Sequence, residues 1–382
     1  MHTHSASTRP RRRFAVAFAV LGLTLAACGS DSSSAPATTA AAASTTATTT
    51  TAGGSTSTEP ASTEPASTGA TTTTIAAVTL PFVPKGTTLH VGDQQNTLKL
   101  PLDTSGEGKN VQASMQFATF VGGPPLVEAF NAGALDVGYV GDTPPILAQA
   151  RGQDLVIVGA WRYSGNLEAI VAPPGKNITS VADLKGKKFA YSTGTALQAF
   201  AIRALKEAGL TEKDVTHVDL PILDIVGAVK SGDVDAGVLV EPILSSYLKD
   251  NPTAKVVRDA QGLTTGLQLV ITTKKALTDP GKAAAIGDLV YHEALAFKWS
   301  IAHPAAAAQA FATANNISLD AAKLLQQRNG AQAFVPLDDK VIGDLQGLAD
   351  IFSDAGAIPK KLDVSALFDT RFNPLVEKAN AG

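Results

Sequence analysis

The side chains best placed to do chemistry in this chain are two carboxylates that close a repeated segment. Asp142 ends residues 126–142, Leu-Val-Glu-Ala-Phe-Asn-Ala-Gly-Ala-Leu-Asp-Val-Gly-Tyr-Val-Gly-Asp. Glu241 ends residues 225–241, Ile-Val-Gly-Ala-Val-Lys-Ser-Gly-Asp-Val-Asp-Ala-Gly-Val-Leu-Val-Glu. At an offset of 99, Gly133 aligns with Gly232, Asp136 with Asp235, Gly138 with Gly237 and Asp142 with Glu241. After a two-residue gap, Pro145-Ile146-Leu147 matches Pro242-Ile243-Leu244. Facing a cleft, the two acids would suit an amine or guanidinium. Spent on the N-termini of the helices that follow, they would be partly neutralised. Gly123, Thr143 and the run Ser192-Thr193-Gly194-Thr195 stand where helices start after strands. Free N–H groups and the helix dipole there favour a small oxyanion. Arg162 is a candidate counter-charge for an anionic headgroup. These residues indicate capture of a small solute and leave the sign of its charge open.

Bond-making chemistry is not indicated. His292-Glu293 lacks the second His of a zinc-binding helix, and the chain has neither a Gly-x-Ser-x-Gly elbow nor a P-loop. Gly106-Glu107-Gly108 is a loop fragment, and His90, His217, His292 and His303 are scattered. Cys28 is the only cysteine, which leaves no internal disulfide, thiol nucleophile or thiolate metal site. No cofactor is expected.

The elements that must position the candidate residues follow from the repeat. Each copy reads as a helix stopped by Gly, a short apolar strand, and an acid before a Pro-containing helix start. Two copies of one such corner imply two similar lobes with a cleft between them. The body from about 85 to 382 is long enough for two compact units. Strands are expected at 89–91, 111–119, 155–160, 169–172, 188–191, 255–257 and 266–272, with a Gly- and Asp-rich loop after the first. Helices alternate with them, and Ala-rich helices over 281–301, 304–314, 319–329 and 338–355 are expected to pack around lobe one. The fold class is α/β, with two doubly wound lobes joined by a two-strand hinge at 173–177 and 262–267. Lobe one takes 85–174 and 264–382, and lobe two takes 175–263.

Ahead of this body lie two segments of a different kind. Arg9, Arg11, Arg12 and Arg13 precede an apolar run over 14–27, too short for a membrane-spanning helix of about 20 residues. Residues 1–27 therefore read as a signal peptide. The ending Leu25-Ala26-Ala27-Cys28 resembles the bacterial lipoprotein box, which implies acylation of Cys28 and a lipid anchor on the extracytoplasmic face of the membrane. Residues 28–84, rich in Ala, Thr and Ser, read as a disordered tether. Removing the leader's four arginines leaves 27 basic residues against 34 acidic ones, a net charge of −7 that argues against nucleic acid as a partner.

From about 87 to 370 the chain resembles the type II periplasmic binding proteins of ABC importers, in the aliphatic-sulfonate, taurine and nitrate branch. The resemblance rests on Gly122-Gly123-Pro124-Pro125, Glu128-Ala129, Asn131-Ala132-Gly133, Asp136-Val137-Gly138-Tyr139 and Gly141-Asp142-Thr143-Pro144-Pro145. It continues in residues 180–188, Ser-Val-Ala-Asp-Leu-Lys-Gly-Lys-Lys, then in Arg203-Ala204-Leu205 and Pro336-Leu337-Asp338-Asp339. It implies the type II binding-protein fold, a small-molecule solute held between the lobes, and delivery to permease subunits by a monomer. It also implies ligand-lining roles for Gln94, Gly123, Asp142, Thr143 and Thr193 to Thr195, with Glu241 at the family's acid-Pro position in lobe two. Around that position the chain carries Val238, Leu239, Val240 and Ile243 where sulfonate binders often carry aromatics. Asp93 likewise replaces an aromatic near the first strand. An amine or thiamine-precursor solute, an enzyme of the same fold and a sensing ectodomain are the alternatives.

Overall fold

The computed structural model describes residues 78–382; the stretch expected to be a signal peptide, Cys28 and most of the expected tether fall outside the described residues. The chain first lays down β1 (Thr88–Gln94), α1 (Lys99–Ser105), β2 (Ser114–Phe120), α2 (Gly123–Asn131), β3 (Val137–Gly141), α3 (Thr143–Ala150) and β4 (Val156–Arg162). It then builds β5 (Glu168–Ala172), β6 (Lys188–Tyr191), α4 (Ala196–Glu207), β7 (Thr216–Asp219), α5 (Ile222–Ser231), β8 (Ala236–Val240), α6 (Ile243–Asp250) and β9 (Lys255–Asp259). It returns through β10 (Leu267–Thr272), α7 (Lys274–Thr278), α8 (Pro280–Ala302), α9 (Pro304–Ala314), α10 (Leu319–Asn329), β11 (Ala333–Val335), α11 (Asp339–Asp354) and α12 (Asn373–Ala381).

Two sheets result. Their orders are β11-β4-β10-β3-β1-β2 and β7-β6-β8-β5-β9. Leaving out β11, the first sheet read backwards is β2-β1-β3-β10-β4, which matches the second strand for strand. The match extends to direction. In each lobe the first three strands run parallel and the fourth, β10 or β5, pairs antiparallel on both sides. The central strands are apolar runs because helices cover both faces of each sheet: β5 is buried along its whole length, and β4 up to its last residue.

The repeated aspartates explain why the two corners share a sequence. Asp136 accepts the His90 N–H at 3.0 Å, and Asp235 accepts the Lys188 N–H at 2.9 Å. Each ties the strand of the repeat to the entrance of the neighbouring parallel strand. Each also holds a lysine, Lys282 on Asp136 and, at 3.0 Å, Lys176 on Asp235. The later helices have caps of their own. Asp279, Ser318 and Asp338 accept first-turn N–H groups of α8, α10 and α11, with Pro280 pre-set for the first turn of α8.

Three features differ from the sequence expectation. The strand at 169–172, expected in lobe one, is β5 of the second sheet, so the first crossing between lobes runs over 163–167 rather than 173–177. Its all-apolar run suits a central strand of either lobe, and only pairing with β8 and β9 decides. The Gly- and Asp-rich loop after β1 contains α1, whose N-terminus is held by the buried Asp93 carboxylate: it accepts N–H groups of Leu98 at 3.1 Å and Lys99 at 3.0 Å. The Ala-rich helices do more than pack. Parts of α8, α9 and α10 wall the space between the lobes.

Candidate functional site

The carboxyl ends of β1 and β3 in one lobe and of β8 in the other converge on a cavity of about 650 Å³. This is the place where open α/β sheets present loops and helix N-termini to ligands. Gln94 lines it from the end of β1. Its Nε2 donates to the Tyr139 carbonyl at 2.9 Å, and the Tyr139 hydroxyl donates back to the Gln94 carbonyl at 2.9 Å. Asp93 accepts the Gln94 N–H at 2.7 Å and steadies the turn in which Gln95 and Asn96 take φ of 53° and 60°. Burial raises the Asp93 pKa while these backbone bonds oppose the shift. The acid that stands where the resemblance expects an aromatic is therefore a buried fastening.

Gly122 and Gly123 bring the first turn of α2 to the cleft. A Cβ on Gly123 would lie 2.4 Å from Pro144 Cγ, so only glycine lets α2 and α3 start side by side. Thr195, Ala196 and Leu197 bring the first turn of α4 from the other lobe, with the Thr195 hydroxyl accepting the Leu197 N–H at 3.2 Å. The two starts meet: a Cβ on Gly194 would stand 3.4 Å from Pro124 Cγ, and one on Gly141 would stand 3.8 Å from Ala196 Cβ. Helix N-termini of opposite lobes thus face the same space.

Of the residues singled out by sequence, Gln94, Gly123, Thr195 and Glu241 line this cavity. The others do not. Asp142 is 5% exposed; it accepts the Thr265 hydroxyl at 2.6 Å and the Thr143 hydroxyl at 3.1 Å. Burial raises its pKa, against Thr265 and the Arg203 charge. Thr143 is fully buried. Asp142 and Thr143 thus fasten the second hinge crossing, which carries Thr265, to lobe one. Arg162 is held by Asp344 and donates to the Thr265 carbonyl at 3.1 Å. It opens into a separate cavity of about 360 Å³ with Arg203 and Lys340, because the last residue of β4 points to the other side of its sheet from Trp161. Thr193 is exposed, with its N–H on Asp219 at 2.9 Å; the Gly194 N–H is on Gln198 at 2.9 Å, and the Ser192 carbonyl accepts the Thr195 hydroxyl at 2.8 Å. These three residues shape the loop behind Thr195 rather than the cavity wall.

Glu241 reaches the cavity already engaged. Its carboxylate accepts the Ser245 hydroxyl at 2.8 Å and the Ser245 N–H at 3.2 Å, and it is paired with Arg328 at the end of α10 in the other lobe. Sequence reasoning missed Glu168, which stands at the start of β5 and is buried at the cavity wall. Burial pushes its pKa up to about 7, the nearby Asp142 adds to the rise, and a bond from the Tyr163 hydroxyl opposes it. The available signal was a lone acid leading an apolar strand, Glu-Ala-Ile-Val-Ala. Trp161, Phe297, Phe311 and Leu325 extend the cavity as an apolar annex under α8, α9 and α10. Among the described residues no group of three or more His, Cys, Asp or Glu is placed to hold a metal ion, and no helix is long and apolar enough to cross a membrane.

Residues 124–307 match the family model described as NMT1/THI5 like. An aliphatic sulfonates-binding protein of Escherichia coli (strain K12) is 34% identical over 178 residues, which are 46% of this chain and 56% of that protein. The match therefore spans little more than half of that relative's length. A protein of the same description from Bacillus subtilis (strain 168) is 27% identical over 259 residues, 68% of this chain and 77% of its own length. The structure of the alkanesulfonate-binding protein SsuA from Xanthomonas axonopodis pv. citri, bound to MOPS, superposes with a TM-score of 0.66 at 25% identity, over 74% of this chain and 98% of that one.

Proposed function

We propose that this chain, which matches the NMT1/THI5-like family model over residues 124–307 and has the periplasmic-binding-protein fold, is an extracytoplasmic solute-binding component of an ABC importer. In this reading the protein is a binding protein and not an enzyme. It captures a small solute between its lobes as a monomer and delivers it to permease subunits, and acylated Cys28 anchors it to the membrane. The first candidate solute is an aliphatic sulfonate, taurine or a nitrate-like oxyanion. The observation that carries this reading is the facing pair of helix starts, α2 from one lobe and α4 from the other, at one cavity. An anion placed between them would receive N–H donors from both lobes and favour the closed arrangement. The sulfonate-binding relatives support the same class of ligand.

A second reading, an amine-bearing or thiamine-precursor solute, is favoured by one observation, the buried Glu168 carboxyl at the cavity wall.

Thermal unfolding of the full chain against taurine, alkanesulfonates, nitrate, bicarbonate, urea and thiamine precursors tests both readings. A solute at 100 times its dissociation constant stabilises the folded state by about 2.7 kcal/mol and raises the midpoint by a few degrees. A shift with sulfonates alone supports the oxyanion reading. Shifts confined to thiamine precursors would replace it with the second.

A further inference from the structure

Two buried polar atoms at the cavity wall lack a partner. Glu168 is 4% exposed; its Oε1 accepts the Tyr163 hydroxyl at 3.3 Å, and its Oε2 accepts nothing. The Trp161 Nε1–H is fully buried and equally unmatched, two residues before the first crossing at 163–167. Leaving a buried donor or acceptor unmatched is costly, because the group has given up its bonds to water. The residues that carry this acceptor and this donor both line the one cavity, so whatever fills it lies beside two polar groups still without a partner.

The charges around Glu168 leave it as the open acceptor of the cleft. Asp142 is taken up by Thr265 and Thr143, and Glu241 by Ser245 and Arg328. Arg162 and Arg203 face the separate cavity. Lys323 reaches the main cavity only as an exposed residue of α10. Among the described residues no cation is paired with Glu168, so a donor from the solute competes with the Tyr163 hydroxyl alone. Polar side chains such as Gln94, Gln95, Asn96 and Gln268 line one part of the space, and the other part is apolar. Behind Trp161 the annex is walled by Phe297, Ala307, Phe311 and Leu325, and a cavity of about 650 Å³ is of the size that encloses drug-sized ligands.

We propose that the solute is an amine with a hydrocarbon body: its N–H is received by Glu168 Oε2, and its aryl or alkyl part lies in the annex under α8, α9 and α10. The proposal rests on the reading of this cleft as the solute site and names the chemistry that fits it. An anionic group on the same molecule would point at the facing helix starts, so the proposal concerns what the solute carries in addition. The raised pKa of Glu168 is consistent with a carboxylate that gains from a donor supplied by the solute.

The test is calorimetric titration of the full chain near pH 7.5 with four probes. These are 4-phenylbutylamine, its N,N,N-trimethylammonium counterpart, which has the same charge but no N–H, ethylamine, which lacks the body, and butane-1-sulfonate. 4-Phenylbutylamine is expected to bind at least about ten-fold more tightly than both its trimethylated counterpart and ethylamine. Glu168→Gln, near-isosteric and checked for folding by circular dichroism, is expected to remove most of the preference for the N–H donor. Ala307→Trp, which fills the annex, is expected to remove the advantage of 4-phenylbutylamine over ethylamine. Equal affinity for the amine and its trimethylated form, or an unchanged preference in Glu168→Gln, overturns the proposal. Binding of butane-1-sulfonate without the amines also overturns it and leaves the cleft as the solute site. No binding by any probe also overturns it, and the thermal-unfolding panel then decides the reading of the cleft separately.

Discussion

Three carboxylates, Asp142, Glu168 and Glu241, gather near the hinge, and their partners give them different work. Asp142 is absorbed by the hydroxyl of a hinge residue, Glu241 by a cation from the opposite lobe, and Glu168 by a single tyrosine bond. Burial sets the titration of Glu168, which moves from an ordinary value of 4.5 to about 7. A carboxyl whose folded pKa lies above its unfolded one holds more protons in the native state, so its charging destabilises the fold as pH rises. Without ligand, stability is expected to fall between about pH 4.5 and pH 7. Asp93, Asp142 and Glu293, each raised chiefly by burial, contribute in the same direction. Urea unfolding midpoints measured from pH 4.5 to 8 check this: Glu168→Gln should make the slope shallower. An unaltered slope would mean that Glu168 is already charged and solvated at neutral pH.

At the scale of elements, the repeated corner shows how one sequence pattern meets two packing problems. Gly138 and Gly237 occupy equivalent places in β3 and β8. A Cβ on Gly138 would fall 2.7 Å from the Gly92 carbonyl oxygen, part of the neighbouring strand's backbone. A Cβ on Gly237 would instead meet methyl groups of Val229 and Ile225, at 2.7 and 2.9 Å, on α5. Backbone in a sheet cannot turn aside, whereas a side chain on a helix can shift. Gly138→Ala is therefore expected to cost about 1–3 kcal/mol or more, and Gly237→Ala less. Paired denaturant unfolding of the two variants decides it; equal losses would show that the strand pair β1–β3 yields as readily as a helix face.

For the whole molecule, the two lobes touch through more than the hinge. Ile222 of lobe two lies close to Gly122 of lobe one, and Arg328 is paired with Glu241. Arg328 ends the α9–α10 hairpin, which has a small core of its own in Ala308, Ala312 and Ala322 with Phe311, Ile317 and Leu319. The hairpin thus roofs the cavity and is pinned to lobe two by one ion pair. Arg328→Met is expected to leave the Glu241 carboxylate buried without a cation. A fully buried pair would lose about 3–5 kcal/mol on such a change, and with the Arg328 side chain 33% exposed the expected loss is nearer 1–3 kcal/mol. The same variant should enlarge the radius of gyration in solution scattering by freeing the lobes. An unchanged midpoint and an unchanged radius would show that the pair contributes neither stability nor closure.

What the sequence by itself determined is local and periodic. The offset repeat announced two lobes, and the strand and helix patterns placed elements such as the Ala-rich helices within a residue or two of α8, α9, α10 and α11. Their caps and glycines act through neighbours a few residues away, which is why they can be read in order. Gly123, Thr195 and Glu241 were also legible as strand-to-helix corners and Gln94 only through the family resemblance, and all four line the cavity. Contacts far apart in sequence were decided only by the tertiary structure. Asp142 looks like a cleft acid until Thr265, 123 positions later, takes its charge. Arg162 looks like a counter-ion until strand alternation puts it on the other side of the sheet, where Asp344, 182 positions away, pairs with it. Glu168 reads as the edge of an apolar strand, and β5 reads as part of lobe one, until pairing with β8 and β9 carries both to the far side of the hinge. The chemistry of an acid follows from what folding sets beside it, and for these residues that neighbour lies in a distant part of the chain.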